Sequence, residues 1–147
     1  MLVGGCASSS GVSGVQSLPF VDHGTTQQSG GDGGPRIVVA TDPVLTGLGQ
    51  LAPAAQGGRL YIGVFAGTQR TGGYSVKVDR IERNGDSLVV HCTFSAPAPG
   101  ALVIQVITSP AQLVSIDQQS ASGVRSAVLL DQSGTERARA TVTQSRS

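Results

Sequence analysis

The chain has no tryptophan, and aromatic residues make up only 3% of its 147 positions. Charge is nearly as sparse: 13% of residues are charged, with ten basic and nine acidic side chains leaving a formal net charge of +1. So even a balance lacks the basic excess that grips nucleic acid or an anionic lipid surface, and neither is expected as a partner. Two cysteines are a poor basis for a disulfide framework. No run approaches the roughly eighteen apolar residues that a membrane-crossing helix needs, so none is expected.

What the chain does have is glycine, 21 residues, and an apolar fraction of 39% at a mean hydropathy of +0.09. Helical bundles normally carry many Glu, Lys and Arg on their surfaces, so this profile fits a turn-rich β protein better. The length points to one core.

Composition changes near Pro35. The first 34 residues hold nine of the glycines, no Lys or Arg, and only Asp22 and Asp32 as charges. A Gly/Ser-rich segment cannot bury enough apolar surface to offset the entropy of ordering it, so residues 1–34 are expected to be a flexible tether and 35–147 a single β-rich domain. Val15 to Val21 is the exception, where Val15, Leu18, Phe20 and Val21 around Pro19 suit a short edge strand. The opening Val3-Gly4-Gly5-Cys6 resembles the cleavage region of bacterial lipoproteins, in which the cysteine thiol receives a lipid and a Ser/Gly-rich arm follows. The basic segment and apolar stretch that precede this site in that family are not part of this sequence. The resemblance implies lipidation at Cys6, membrane contact only through that anchor, and a place in the bacterial cell envelope.

From Arg36 onward apolar residues recur with a period of two, the spacing that sends alternate side chains to opposite faces of a sheet. Leu60, Ile62, Val64 and Ala66 share one face, with Tyr61 and Phe65 on the other. A phase shift at Arg80-Ile81 predicts a bulge. Asn84-Gly85 predicts a tight hairpin turn leading into a strand from Ser87 to Ser95. On that strand Cys92 alternates with Leu88, Val90 and Phe94, as a small buried apolar residue would. Asp42, Pro43 and the spacing of Val44, Leu45, Leu48 and Leu51 predict a helix of two or three turns. Ala101 to Ile107 has only Gln105 as a polar residue, which predicts a central strand covered on both faces. Gln112 to Asp117 reads as a further short strand, and Val124 to Asp131 with Thr135 to Thr143 as a hairpin. Arg137 and Arg139 on its last strand suit an exposed edge. The expected architecture is an antiparallel β-sandwich or partly open barrel of seven or eight strands with one short helix.

Between two of these strands lies Gly67-Thr68-Gln69-Arg70-Thr71-Gly72-Gly73-Tyr74, followed later by Pro99-Gly100 and Thr108-Ser109-Pro110. In this order, and with these strands between them, the pieces resemble the C-terminal domain of the protease complex subunit PrcB family, closely over Leu60 to Ile116. Two positions depart from the family's pattern: Arg70 stands where a proline is usual, and Ala111 where an aromatic is. The resemblance implies a noncatalytic envelope domain that binds or helps assemble a partner protein, a secreted protease in the case of the family's namesake. The residues it places at the partner are Arg70, Thr71, Gly72, Gly73, Tyr74, Thr108, Ser109 and Pro110. A corner that anchors a core side chain is the competing structural account of Tyr74, which leaves Arg70 as the better contact.

Two other functions fit parts of the chain. Thr71-Gly72-Gly73-Tyr74 is similar to the loop that chagasin-type inhibitors insert into cysteine proteases, although no Arg-Pro-Trp loop accompanies it. A lipocalin-like carrier of an apolar ligand would require an interior cavity. Reactive groups are scarce. His23 falls in the tether and His91 lies next to Cys92, so no nucleophile and base are paired by sequence. No set of three or four ligands has metal spacing. Neither enzyme activity, cofactor nor metal is expected.

Overall fold

The computed structural model describes residues 15–30, 33–52 and 56–142. Cys6, with its expected lipid, lies outside them. Among the described residues the fold is mainly β, with nine strands in two sheets that do not close into a barrel. The first sheet has five strands, β1 (Val15–Leu18), β5 (Ser75–Asn84), β6 (Ser87–Ser95), β8 (Ser126–Leu130) and β9 (Glu136–Thr141), adjacent in that order. Its pairs are antiparallel except β6 with β8. The second is fully antiparallel, in the order β2 (Val21–Thr26), β7 (Ala111–Asp117), β4 (Arg59–Phe65), β3 (Arg36–Ala40).

Alternation explains the core. Leu60, Ile62 and Val64 from β4 and Val114 and Ile116 from β7 meet Val76, Val78, Ile81, Leu88, Val90 and Cys92 from the opposing sheet, all buried. Each such side chain contributes about 1.5–3 kcal/mol by leaving water. The odd-numbered face of β4 is buried too. Tyr61 and Phe65, with Ala111 and Leu113, pack under Leu48 and Ala52 of the segment that crosses the outside of this sheet. Side chains from both sheets therefore meet in the space between them.

Four details differ from expectation. The segment Val15–Thr26, assigned to the tether apart from one short edge strand, supplies two edge strands. Pro19 stands between them, where the chain passes from one sheet to the other. The helix over Val44–Leu51 is instead two 3-10 turns, Pro43–Thr46 and Gly49–Leu51. Asp42 does cap the first, its carboxylate accepting the Val44 N–H, but Gly47 in a left-handed conformation ends it. The hairpin loop is Gly85-Asp86, one residue later than Asn84-Gly85, because Asn84 pairs with Ser87.

The fourth correction is the largest. Ala101 to Ile107 is no strand at all but an exposed loop, and the strands covered on both faces are β4 and β7. β7 looks less apolar than residues 101–107 because it carries Gln112 and Ser115, yet both are buried with their polar atoms bonded. Gln112 faces the inter-sheet core, where its Oε1 accepts the Val78 N–H at 2.6 Å. The bulge between Val78 and Arg80, foreseen one residue later, interrupts the ladder to β6 there. Replacing Gln112 with leucine should therefore cost about 1–3 kcal/mol, since it strands a buried donor while adding apolar volume. Urea denaturation measures this, and a loss below about 0.5 kcal/mol would show that the bond is dispensable.

Candidate functional site

The expected partner residues do come together, at the end of the sandwich where β5 begins and β6 ends. Gln69 and Thr108 form a two-bond antiparallel bridge, N–H to O at 2.8 and 2.9 Å. The Thr108 hydroxyl donates to the Thr71 carbonyl at 2.8 Å. Ser109 is tied to the chain after β2: its N–H donates to Gln27 O at 2.7 Å and its Oγ accepts the Gly30 N–H at 3.0 Å. The Pro110 carbonyl accepts the Ala66 N–H at 2.9 Å. Thr108, Ser109 and Pro110 are all buried. They act as a staple beneath the surface, so of the eight residues assigned to the partner these three are not presented to one.

The two glycines are committed to packing as well, although Gly73, unlike Gly72, is exposed. Gly72 is buried, its N–H donates to Ile104 O at 3.0 Å, and a Cβ there would stand 2.7 Å from the Ile104 side chain. Gly73 adopts φ +92°, and its Cβ would meet Pro97 at 2.9 Å and Val103 at 3.0 Å. Only glycine combines that backbone with that clearance. Thr71 and Tyr74 are half-buried, whereas Arg70 is exposed. Thr71 to Tyr74 therefore form a seat for a neighbouring loop.

What they seat is the loop after Gly100. Leu102 is fully exposed, Ile104 and Ile107 remain 66% and 65% exposed, and Val106 is 45% exposed. Hydrogen bonds and the tight fit at Gly72 and Gly73 hold this apolar ridge outside both sheets. Isolated apolar residues on a surface are ordinary, whereas here four large ones fall within six positions. Sequence reasoning found the segment and misjudged its surroundings, because apolar composition alone does not say whether protein or partner covers it.

Beside the ridge is an open pocket of about 250 Å³ bounded by Gln69, Tyr74, Phe94, Ala96 and Arg137. Arg137 stacks its guanidinium 4.8 Å from the Phe94 ring centre and reaches Asp131 at 3.2 Å. Asp131 also accepts the Ser133 and Thr135 N–H groups, and these bonds, that from Thr135 foremost, hold its carboxyl below the usual range.

One cluster was not foreseen. His23 lies on β2, where its Nε2 is 2.8 Å from Ser115 Oγ. Arg59 donates to the same oxygen at 3.2 and 2.9 Å and to the Ser115 carbonyl at 2.8 Å. With two donors already on the hydroxyl oxygen, its proton is directed to His23. Burial, then the Arg59 charge, lowers the His23 pKa accordingly. Ser115 is 1% exposed, so the hydroxyl is spent on joining β2, β7 and β4. The pairing spans 92 positions, which no local motif signals. His91 and Cys92 point to opposite faces of β6: the His91 Nε2–H donates to Glu82 at 2.8 Å, while Cys92 sits in the core.

The staple, the seat and the strands between them all lie within Leu60 to Asp117. Residues 60–117 match the family model described as PrcB C-terminal. No curated protein and no solved structure matches the chain. The segment similar to the PrcB C-terminal family thus runs from β4 to β7 and includes both the buried motif residues and the ridge they carry. β1 to β3 and β8 to β9 lie outside the match and complete the two sheets around it.

Proposed function

We propose that this chain is a noncatalytic envelope domain that docks a partner protein through the ridge Leu102–Ile107 and the neighbouring Arg70. The observation that carries this reading is the exposed apolar ridge, held in place by the motif residues of the PrcB C-terminal segment. The family's association with a protease complex makes a protease the first candidate partner.

The positions of the chain ends support the same reading. Val15 pairs with Asn84, and Thr141 lies opposite Ser126, itself beside Ser87. Both ends of the described chain therefore leave from the Asn84–Ser87 side. The ridge is at the other end of β6, a nine-residue strand whose eight steps of about 3.4 Å span roughly 27 Å. A lipid on Cys6 would then anchor the domain from one end and leave the ridge directed outward.

A photo-crosslinking residue at position 102 of the full chain in native membranes tests the docking surface. It should capture one defined neighbour, the same residue at position 86 should not, and Ile104→Ser with Ile107→Ser should abolish capture. Equal capture at both positions, or none at 102, overturns the assignment. In the same cells Cys6→Ser should move the protein from the membrane to the soluble fraction, and unchanged fractionation would remove the lipid anchor.

A further inference from the structure

We infer that the pocket beside the ridge receives the C-terminal residue of an apolar chain end, with its side chain between Tyr74 and Phe94 and its α-carboxylate on Arg137. This rests on the docking reading for the source of that chain end, and it adds a specific anchor and its chemistry. The chain has only five Tyr and Phe residues. Two of them, Tyr74 and Phe94, line this surface pocket, Phe94 also packing against the edge of the core between the sheets. Aromatic walls at a solvent-facing site offer large, rigid apolar contact area to a ligand. The volume of about 250 Å³ equals roughly eight waters, the size of one aromatic residue.

Charge selects the rest of the ligand. From Ala66 to Ser75 and from Phe94 to Gln112 the one charged residue is Arg70, and the charged group on the pocket wall is Arg137. Arg137 uses Nη1 for Asp131, whose carboxylate is already served by two backbone N–H groups. A guanidinium has five donors, so others remain for a second carboxylate. A terminal residue carries its carboxylate one atom from the side-chain branch point, which matches a guanidinium 4.8 Å from the Phe94 ring. In an extended internal segment a neighbouring Asp or Glu would point to the opposite face.

Titration of the full chain, labelled with 15N, against three short peptides tests this. Gly-Gly-Ala-Phe with a free C-terminus should shift the amides of Tyr74 and Phe94 and half-saturate on the order of 1 mM. Its C-terminal amide should bind at least about ten-fold more weakly, the loss expected for one charge-assisted pair. Arg137→Gln should bring the acid to the level of the amide while lowering the melting temperature by no more than a few degrees, the share of one ion pair and one ring contact. Equal binding of acid and amide, equal binding of Gly-Gly-Phe-Asp-amide, or no shift at Tyr74 and Phe94 up to about 10 mM overturns the inference. Crosslinking from position 102 is independent of this titration. Capture there with no peptide binding removes the pocket and keeps the ridge, whereas peptide binding without capture removes the ridge.

Discussion

Replacing Gly73 with alanine should lower stability by about 2–4 kcal/mol, the sum of a left-handed backbone penalty and the cost of overpacking. Both terms are visible at this residue: φ is +92°, and the new Cβ would meet Pro97 at 2.9 Å and Val103 at 3.0 Å. For a domain of this size the loss corresponds to a melting temperature lowered on the order of 10 °C. Pro97 and Val103 belong to the loop that carries the ridge, so relief of the overlap must displace that loop. The variant should therefore weaken partner capture from position 102 even below its melting transition. Arg70→Ala, at an exposed position, should change stability by less than about 0.5 kcal/mol and still weaken capture. The contrast separates a residue that shapes the surface from one that belongs to it. A Gly73→Ala protein that melts within 2 °C or so of the parent would show that the loop gives way freely, and the seat would lose its role.

That division between shaping and touching was partly legible in the sequence. Alternation along Leu60–Ala66 located both faces of β4 correctly, since Leu60, Ile62 and Val64 enter one core cluster and Tyr61 and Phe65 the other. The bulge near Arg80 was legible because a phase shift is itself the signature of an extra residue. The exchange of roles between residues 101–107 and 111–117 was not. Hydropathy counts side-chain transfer, but Gln112 and Ser115 are buried through hydrogen bonds to Val78, Arg59 and His23. Those partners lie 34, 56 and 92 positions away. Leu102, Ile104, Val106 and Ile107 have strand-forming side chains yet remain outside the sheets. Both neighbours of β7 are already taken by β2 and β4, and the Gly72 N–H holds Ile104 over the motif. The ordered pieces of the motif and the exposure of Arg70 were recognisable, but not that Thr108-Ser109-Pro110 lies beneath the surface.

Cys92 should be almost inert in the folded protein and should make the domain sensitive to alkali. Burial, and secondarily the Asp79 carboxylate, pushes its thiol from an ordinary value of 9.0 up to about 12. At neutral pH the reactive thiolate is then on the order of a thousand times rarer than in an unfolded chain, and the side chain is 0% exposed besides. Maleimide labelling of Cys92 in a Cys6→Ser background should follow the unfolded fraction: slow in buffer, complete within minutes in urea. The sign of the pH effect is fixed by which state holds the proton. Between the unfolded value near 9 and the folded value near 12 the unfolded chain releases it first, so stability is intact below pH 9 and falls as pH rises through this window. By pH 10.5 the loss should reach on the order of 2 kcal/mol. Cys92→Ala, compared with the parent at each pH, isolates this thiol from the other groups that titrate there. The variant should lose about 1–2 kcal/mol at pH 7 from the missing sulfur, then overtake the parent as the solution becomes alkaline. Parallel stability curves for the two proteins from pH 8 to 11 would mean that the thiol ionises as easily inside the sandwich as outside it. The core around Leu88, Val90 and Cys92 would then be open to water.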